Sequence, residues 1–140
     1  MVPVRSPRLR LTLRQGTVYF MPHRGLSSPL PHFCVVVNFD PLSDEVLLLS
    51  VVTSNVAGRK ALAISRNQPA ETIVEFGPAD YSPLDHASCI DCNDLKKMDA
   101  SEFEEAVRSR AAVPEDDLPP PVLARVVSGI VESTRIEKKV

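Results

Sequence analysis

No stretch of this 140-residue chain holds the run of roughly 18 apolar residues that a membrane-crossing helix needs. Nor does a continuous apolar segment follow the N-terminal arginines, so no secretory signal peptide is expected. Acid is missing from the whole leading segment: Arg5, Arg8, Arg10, Arg14 and Arg24 all precede the first carboxylate, Asp40. With a net charge of −2, the remainder carries about −7. An arginine-rich, acid-free start is shared with organelle transit peptides, but Pro3 and Pro7 oppose the amphipathic helix such a signal needs. Two readings of the segment remain: a basic stretch that attracts a phosphate backbone or an acidic partner, and a solvated leader ahead of the fold. Cysteine is sparse and odd in number (Cys34, Cys89 and Cys92), which argues against a secreted disulfide scaffold and makes the cytoplasm the expected compartment. No internal repeat is present.

What the chain does have is paired apolar runs. His32 to Asp40 and Glu45 to Ser54 are rich in β-branched residues and are joined by Pro41-Leu42-Ser43-Asp44. Runs bounded by turn residues in this way predict two adjacent strands, too uniformly apolar for a sheet wetted on one face and therefore central. Gly16–Met21 and Glu71–Phe76 predict further strands, the second stopped by Gly77-Pro78, and Ser88–Cys92 a short one. Residues 1–14 read as a basic arm, in which Arg8-Leu-Arg-Leu-Thr-Leu-Arg14 alternates like an edge strand. Pro22 to Pro31 and Asn55 to Ala70 read as loops. Five or six short strands with long loops predict a small closed or half-closed antiparallel barrel.

Helices are expected last. Ser101-Glu-Phe-Glu104 has the spacing of a capping box. Ala111 to Leu118 reads as an acidic linker, and Pro119-Pro-Pro121 opens a second helix where missing amide donors cost nothing. Val122, Leu123, Val126, Val127, Ile130 and Val131 then make an apolar stripe at helical spacing, expected to pack on the sheet.

The ordered set of segments resembles the PemK/MazF toxin family over about residues 14–136, within a domain drawn at 15–136 behind the 1–14 arm. Gly16-Thr-Val-Tyr-Phe20 resembles the family's opening strand, His32-Phe-Cys-Val-Val-Val37 its "R-P-x-V-V-L" strand, and Val51-Val-Thr-Ser54 its "P-x-T-S" strand end. Ser88 to Leu95 resembles its later strand. The resemblance implies an SH3-like barrel with a packed C-terminal helix, often a homodimer. It implies a metal-independent endoribonuclease toxin acting on single-stranded RNA, with no cofactor, neutralised by an antitoxin peptide. In that reaction the ribose 2′-hydroxyl attacks the adjacent phosphorus, which needs a base, an acid and a cation for the developing phosphorane charge.

Carried over by position, Thr53 matches a threonine near the scissile phosphate, and Ser54 offers a second donor beside it. His32 stands where the family has arginine; it suits proton transfer near neutral pH but is no permanent cation. Arg24, Arg59 and Lys60 are the candidates to hold the phosphate. Asn93 stands where the family has an acid, and asparagine takes no proton. Close antiparallel pairing of the two central strands would bring His32 beside Thr53. The same positions have plainer readings: a structural histidine, hydroxyls that hold a turn, and ordinary surface cations. The alternative function is therefore a barrel without cleavage, serving as an interaction or nucleic-acid-binding module.

Cys89-Ile-Asp-Cys92 with His86 makes a His-x-x-Cys-x-x-Cys spacing that can suit zinc, with Cys34 as the one remaining thiol. In a strand, however, residues three apart point to opposite faces, and no βαβ context supports a redox motif. Buried structural cysteine is the expectation, with no metal bound.

Overall fold

The computed structural model describes residues 2–23, 25–26 and 30–136. Arg24 and residues 137–140 lie outside the described residues. In chain order the elements are α1 (Pro7–Thr12), β1 (Val18–Met21), β2 (His32–Val36), β3 (Val46–Thr53), α2 (Val56–Ser65), a 3-10 turn (Ala70–Thr72), β4 (Ile73–Phe76), β5 (Ser88–Asp99), α3 (Ala100–Arg108), β6 (Val113–Glu115) and α4 (Pro120–Glu132). The six strands make one antiparallel sheet in the order β4-β5-β3-β2-β1-β6. The uniformly apolar β2 and β3 take the middle of that order, with Cys34, Val35 and Val36 of the first and Leu47, Leu49 and Ser50 of the second buried.

The sheet is open rather than closed into a barrel: β4 and β6 are its two ends. Both ends are poor partners for further pairing. β6 is three residues long and carries Pro114, which has no amide donor. On β4 the Glu75 carbonyl already accepts a hydrogen bond from Arg125 Nη1 at 3.0 Å.

The chain divides into two compact units, Met1–Leu49 with Lys96–Asp117, and Ser50–Leu95 with Leu118–Val140. In the first unit, β1 pairs with β2 (Val18 opposite Val35, Phe20 opposite Phe33) and with β6 (Val18 opposite Glu115). Tyr19 and Met21 point to the opposite side of β1 from Val18 and Phe20, and the Tyr19 ring meets Phe103 of α3 edge-on at 4.9 Å. The supposed edge strand of the arm is instead α1, with Pro7 in its first turn. Its alternating leucines fit a helix equally well: Leu9 and Leu13, four apart, are buried, and Leu11 between them is 85% exposed. Val4 is buried as well.

The expected capping box is not formed. Asp99 is the N-cap of α3 and makes no side-chain cap bond, so the helix starts two residues earlier than Ser101-x-x-Glu104 predicts. Glu104 is thereby released to accept hydrogen bonds from the backbone N–H groups of Arg5 (2.7 Å) and Ser6 (3.1 Å), pinning the arm to α3. The β2–β3 connection is braced by Asn38, whose amide donates to Asp44 Oδ2 and the Val46 carbonyl while its Oδ1 accepts from Leu48 N–H.

In the second unit, β4 pairs with the start of β5 (Ile73 opposite Asp91, Val74 opposite Ile90, Glu75 opposite Cys89). Ile73 and Cys89 share one side and pack with Ala63 and Val56 of α2. The alternate residues face α4: Cys92 lies 3.5 Å from the Val126 carbonyl, where its thiol donates. Within α4 the buried positions are Val122, Val126 and Gly129, whereas Val131 of the expected stripe is 65% exposed. Asn55 to Ala70, expected as a loop, holds α2, capped by Asn55 Oδ1 accepting from Gly58 N–H at 3.2 Å.

Candidate functional site

The strand end Thr53-Ser54 leads directly into α2. Thr53 is half-buried and its Oγ1 accepts a hydrogen bond from Asn55 N–H at 3.1 Å. The Ser54 carbonyl accepts from Val56 N–H at 2.9 Å, and its side chain is exposed. The two hydroxyls thus stand at the N-terminal end of a ten-residue helix whose first turn carries no acid. The partial positive charge of that helix end favours an anion there.

Arg59 and Lys60 lie on α2, not on a loop, and both face the strands. Arg59 Nη1 reaches Asp91 Oδ2 at 3.3 Å and Asp94 Oδ2 at 3.5 Å, and Lys60 Nζ pairs with Glu75 at 2.6 Å. Asp91 is 5% exposed, so the Arg59 guanidinium compensates a carboxylate that would otherwise be stranded out of water. Burial also explains how Asp91 stays satisfied: its Oδ1 accepts from both the backbone N–H and the side-chain amide of Asn93, each at 3.0 Å. Asn93 Nδ2 further donates to Thr72 Oγ1 at 2.9 Å, and its Oδ1 accepts from Ser133 Oγ at 2.5 Å. An acid at position 93 could not make these donations. The asparagine therefore works as a buried clamp between β5, the 3-10 turn and the C-cap of α4.

His32 opens β2, half-buried, opposite Met21 of β1. Arg24 lies outside the described residues. A second histidine, His23, is buried and fully engaged: its Nδ1 accepts from Gly25 N–H at 2.8 Å, which leaves Nε2–H to donate to the Lys97 carbonyl at 3.0 Å. Sequence reading passed over His23, Thr72 and Ser133, because a buried hydrogen bond to a distant residue leaves no periodic mark in the chain.

The cysteines are all buried, and burial pushes their thiols up, Cys34 and Cys92 to about 12 and Cys89 to about 11. Cys89 and Cys92 sit on opposite sides of β5, the first against α2 and the second against α4. His86 is exposed and pairs with Asp85, whose carboxyl that hydrogen bond holds below its ordinary range. Among the described residues, no three His, Cys, Asp or Glu side chains converge as a metal-holding group.

No protein-family model matches the chain, and no curated protein is similar to it in sequence. Solved structures do match. An endoribonuclease in complex with its cognate antitoxin, from a mycobacterial species, superposes with a TM-score of 0.53 at 11% identity, covering 85% of this chain and 89% of that one. The MazE-MazF complex of Deinococcus radiodurans gives 0.53 at 16% identity, covering 84% and 92%. MazF of the same organism gives 0.53 at 14%, with the same coverage. The open six-stranded sheet with its C-terminal helix is thus the fold of the MazF-type endoribonucleases.

Proposed function

We propose that the protein is a cytoplasmic endoribonuclease toxin that cuts single-stranded RNA and is held in check by an antitoxin polypeptide; one matched endoribonuclease is itself in complex with its cognate antitoxin. The observation that carries the reading is the pair of hydroxyls at the positive end of α2, on a fold shared with ribonucleases. In this mechanism Thr53 and Ser54 donate hydrogen bonds to the non-bridging oxygens of the scissile phosphate. The 2′-hydroxyl loses its proton and attacks phosphorus, the P–O5′ bond breaks, and the departing 5′-oxygen is protonated. The products are a 2′,3′-cyclic phosphate and a 5′-hydroxyl. His32 is the proton-transfer candidate. A homodimer is the expected assembly. Among the described residues no helix is long and apolar enough to cross a membrane.

A second reading has its own observation. Arg59 and Lys60, the cations expected to neutralise the phosphate, are each engaged by carboxylates. A protein whose cations are so committed would bind a partner or a nucleic acid without cutting it. Incubating the purified chain with a long RNA in EDTA and mapping the product ends separates the two. Cleavage leaving cyclic-phosphate ends is expected, with Thr53→Ala and His32→Ala each at least tenfold slower, about 1.4 kcal/mol of transition-state stabilisation, and equally stable to heat. An intact RNA under all conditions, with tight binding of a partner, would establish the second reading.

A further inference from the structure

Within the first unit a cleft of about 930 Å3 opens between α1, α3 and β6. Its size falls in the range of ligand sites, and its lining mixes charge with apolar surface, Val107 and the 46%-exposed Val113 among the latter. Four arginines and four carboxylates line it, and most are already satisfied. Arg14 pairs with Asp117 at 2.5 Å, Arg108 pairs with Glu105, and Glu104 accepts the two backbone N–H groups of the arm. Among the carboxylates Glu115 remains, and among the arginines Arg8 and Arg110. Both line the cleft, from α1 and from the residue after the C-cap of α3, and neither pairs with a carboxylate among the described residues.

Two features fix the backbone that carries these guanidinium groups. The arm that carries Arg8 is anchored by buried Val4, Leu9 and Leu13, so little backbone freedom is lost when a ligand pairs with it. Arg110 sits at φ 66°, a left-handed conformation that glycine or asparagine adopts more easily, with its N–H donating to the Val107 carbonyl at 3.1 Å.

We propose that this cleft docks a segment of a partner polypeptide bearing acidic and aliphatic side chains, its carboxylates paired with Arg8 and Arg110 and its aliphatic groups on Val107 and Val113. A nucleic acid fits less well. Its regular array of phosphates would face Glu104, Glu105, Glu115 and Asp117, whereas a peptide places its few carboxylates only where guanidinium groups are open. The docking does not depend on RNA cleavage.

The test titrates the full chain into a labelled dodecapeptide in which one Asp and one Glu are set among Leu, Val and Ser, followed by fluorescence anisotropy. Saturable binding is expected, at least tenfold weaker for the matching peptide with Asn and Gln. The Arg8→Gln/Arg110→Asn double variant, with asparagine chosen to tolerate the positive φ, should bind at least tenfold more weakly and melt at the parental temperature. Arg66→Gln, outside the cleft, should bind as the parent does. If the double variant melts early, amide shifts of the parent on adding peptide decide the question: changes at Thr12, Val107 and Val113 support the cleft, and changes confined elsewhere overturn it. Failure of the acidic peptide to saturate, parental affinity in a stable double variant, or displacement of the peptide by a twelve-nucleotide single-stranded RNA would equally overturn it.

Discussion

Arg59 is the residue on which structure and function pull hardest against each other. A side chain only a third exposed, with Asp91 buried beneath it, is held by the need to compensate that carboxylate. Removing one partner of such a pair leaves an uncompensated buried charge, at a cost of about 3 kcal/mol or more. Arg59→Ala should therefore lower stability by about that amount in urea denaturation, and adding Asp91→Ala should return part of it. A single variant as stable as the parent would show the guanidinium free to serve a phosphate instead. Asn93 follows the same logic. What looks by position like a lost catalytic acid is a centre of four hydrogen bonds to three residues, and its side chain donates two of them, which no carboxylate could do.

At the scale of elements, α4 shows how a helix face is chosen. Its deepest positions are Val122, Val126 and Gly129, spaced four and three apart. The glycine is there for close approach: a Cβ at 129 would stand 2.7 Å from Cys92 Sγ and 2.9 Å from the Glu71 carbonyl oxygen. Gly129→Ala gains roughly 1 kcal/mol of helix propensity but forces the helix off the strands, an overpacking cost of about 1–3 kcal/mol. A net fall in melting temperature is expected, and a rise would mean that the seam has room to spare. Val126→Asp, at a fully buried position, should unfold the protein or leave it molten, while Val131→Asp on the exposed side should not. Circular dichroism melts of the two variants together test which face is packed.

For the molecule as a whole, the thiols set a pH dependence. Burial raises all three cysteines in the folded state, to about 12, 11 and 12 for Cys34, Cys89 and Cys92, against about 8.5 for an unfolded thiol. Between those values the folded chain binds more protons than the unfolded one. The stabilisation is then complete below about pH 8.5 and lost as pH rises toward 11–12. Tyr19, raised chiefly by burial, acts in the same direction. Urea midpoints should hold from pH 7 to 8 and fall by pH 10, and a midpoint that rises over that interval would falsify the assignment. At pH 8 the native thiols should react with a disulfide reagent only on the timescale of unfolding.

Sequence alone determined the strands whose residues are locally consistent. β2, β3 and β4 follow from β-branched runs bounded by turns, and the central rank of β2 and β3 from how completely those two runs are apolar. α4 follows from its apolar spacing and its prolines. Tertiary structure decided the rest, wherever a local pattern had two solutions or its energy came from a distant residue. The leucines of residues 8–14 alternate as a strand would, yet Leu9 and Leu13 also share a helix face, and α3 with its Glu104 selects the helix. α2 was not legible because its inward stripe, Val56, Arg59, Lys60 and Ala63, is half charged, and only the acids of β4 and β5 make that stripe buriable. For the candidate site, the chain showed which hydroxyls and cations were present. Which cations were already spent on carboxylates was settled only by residues some fifteen to thirty-five positions away, because ion pairing depends on distance in space and the sequence carries none.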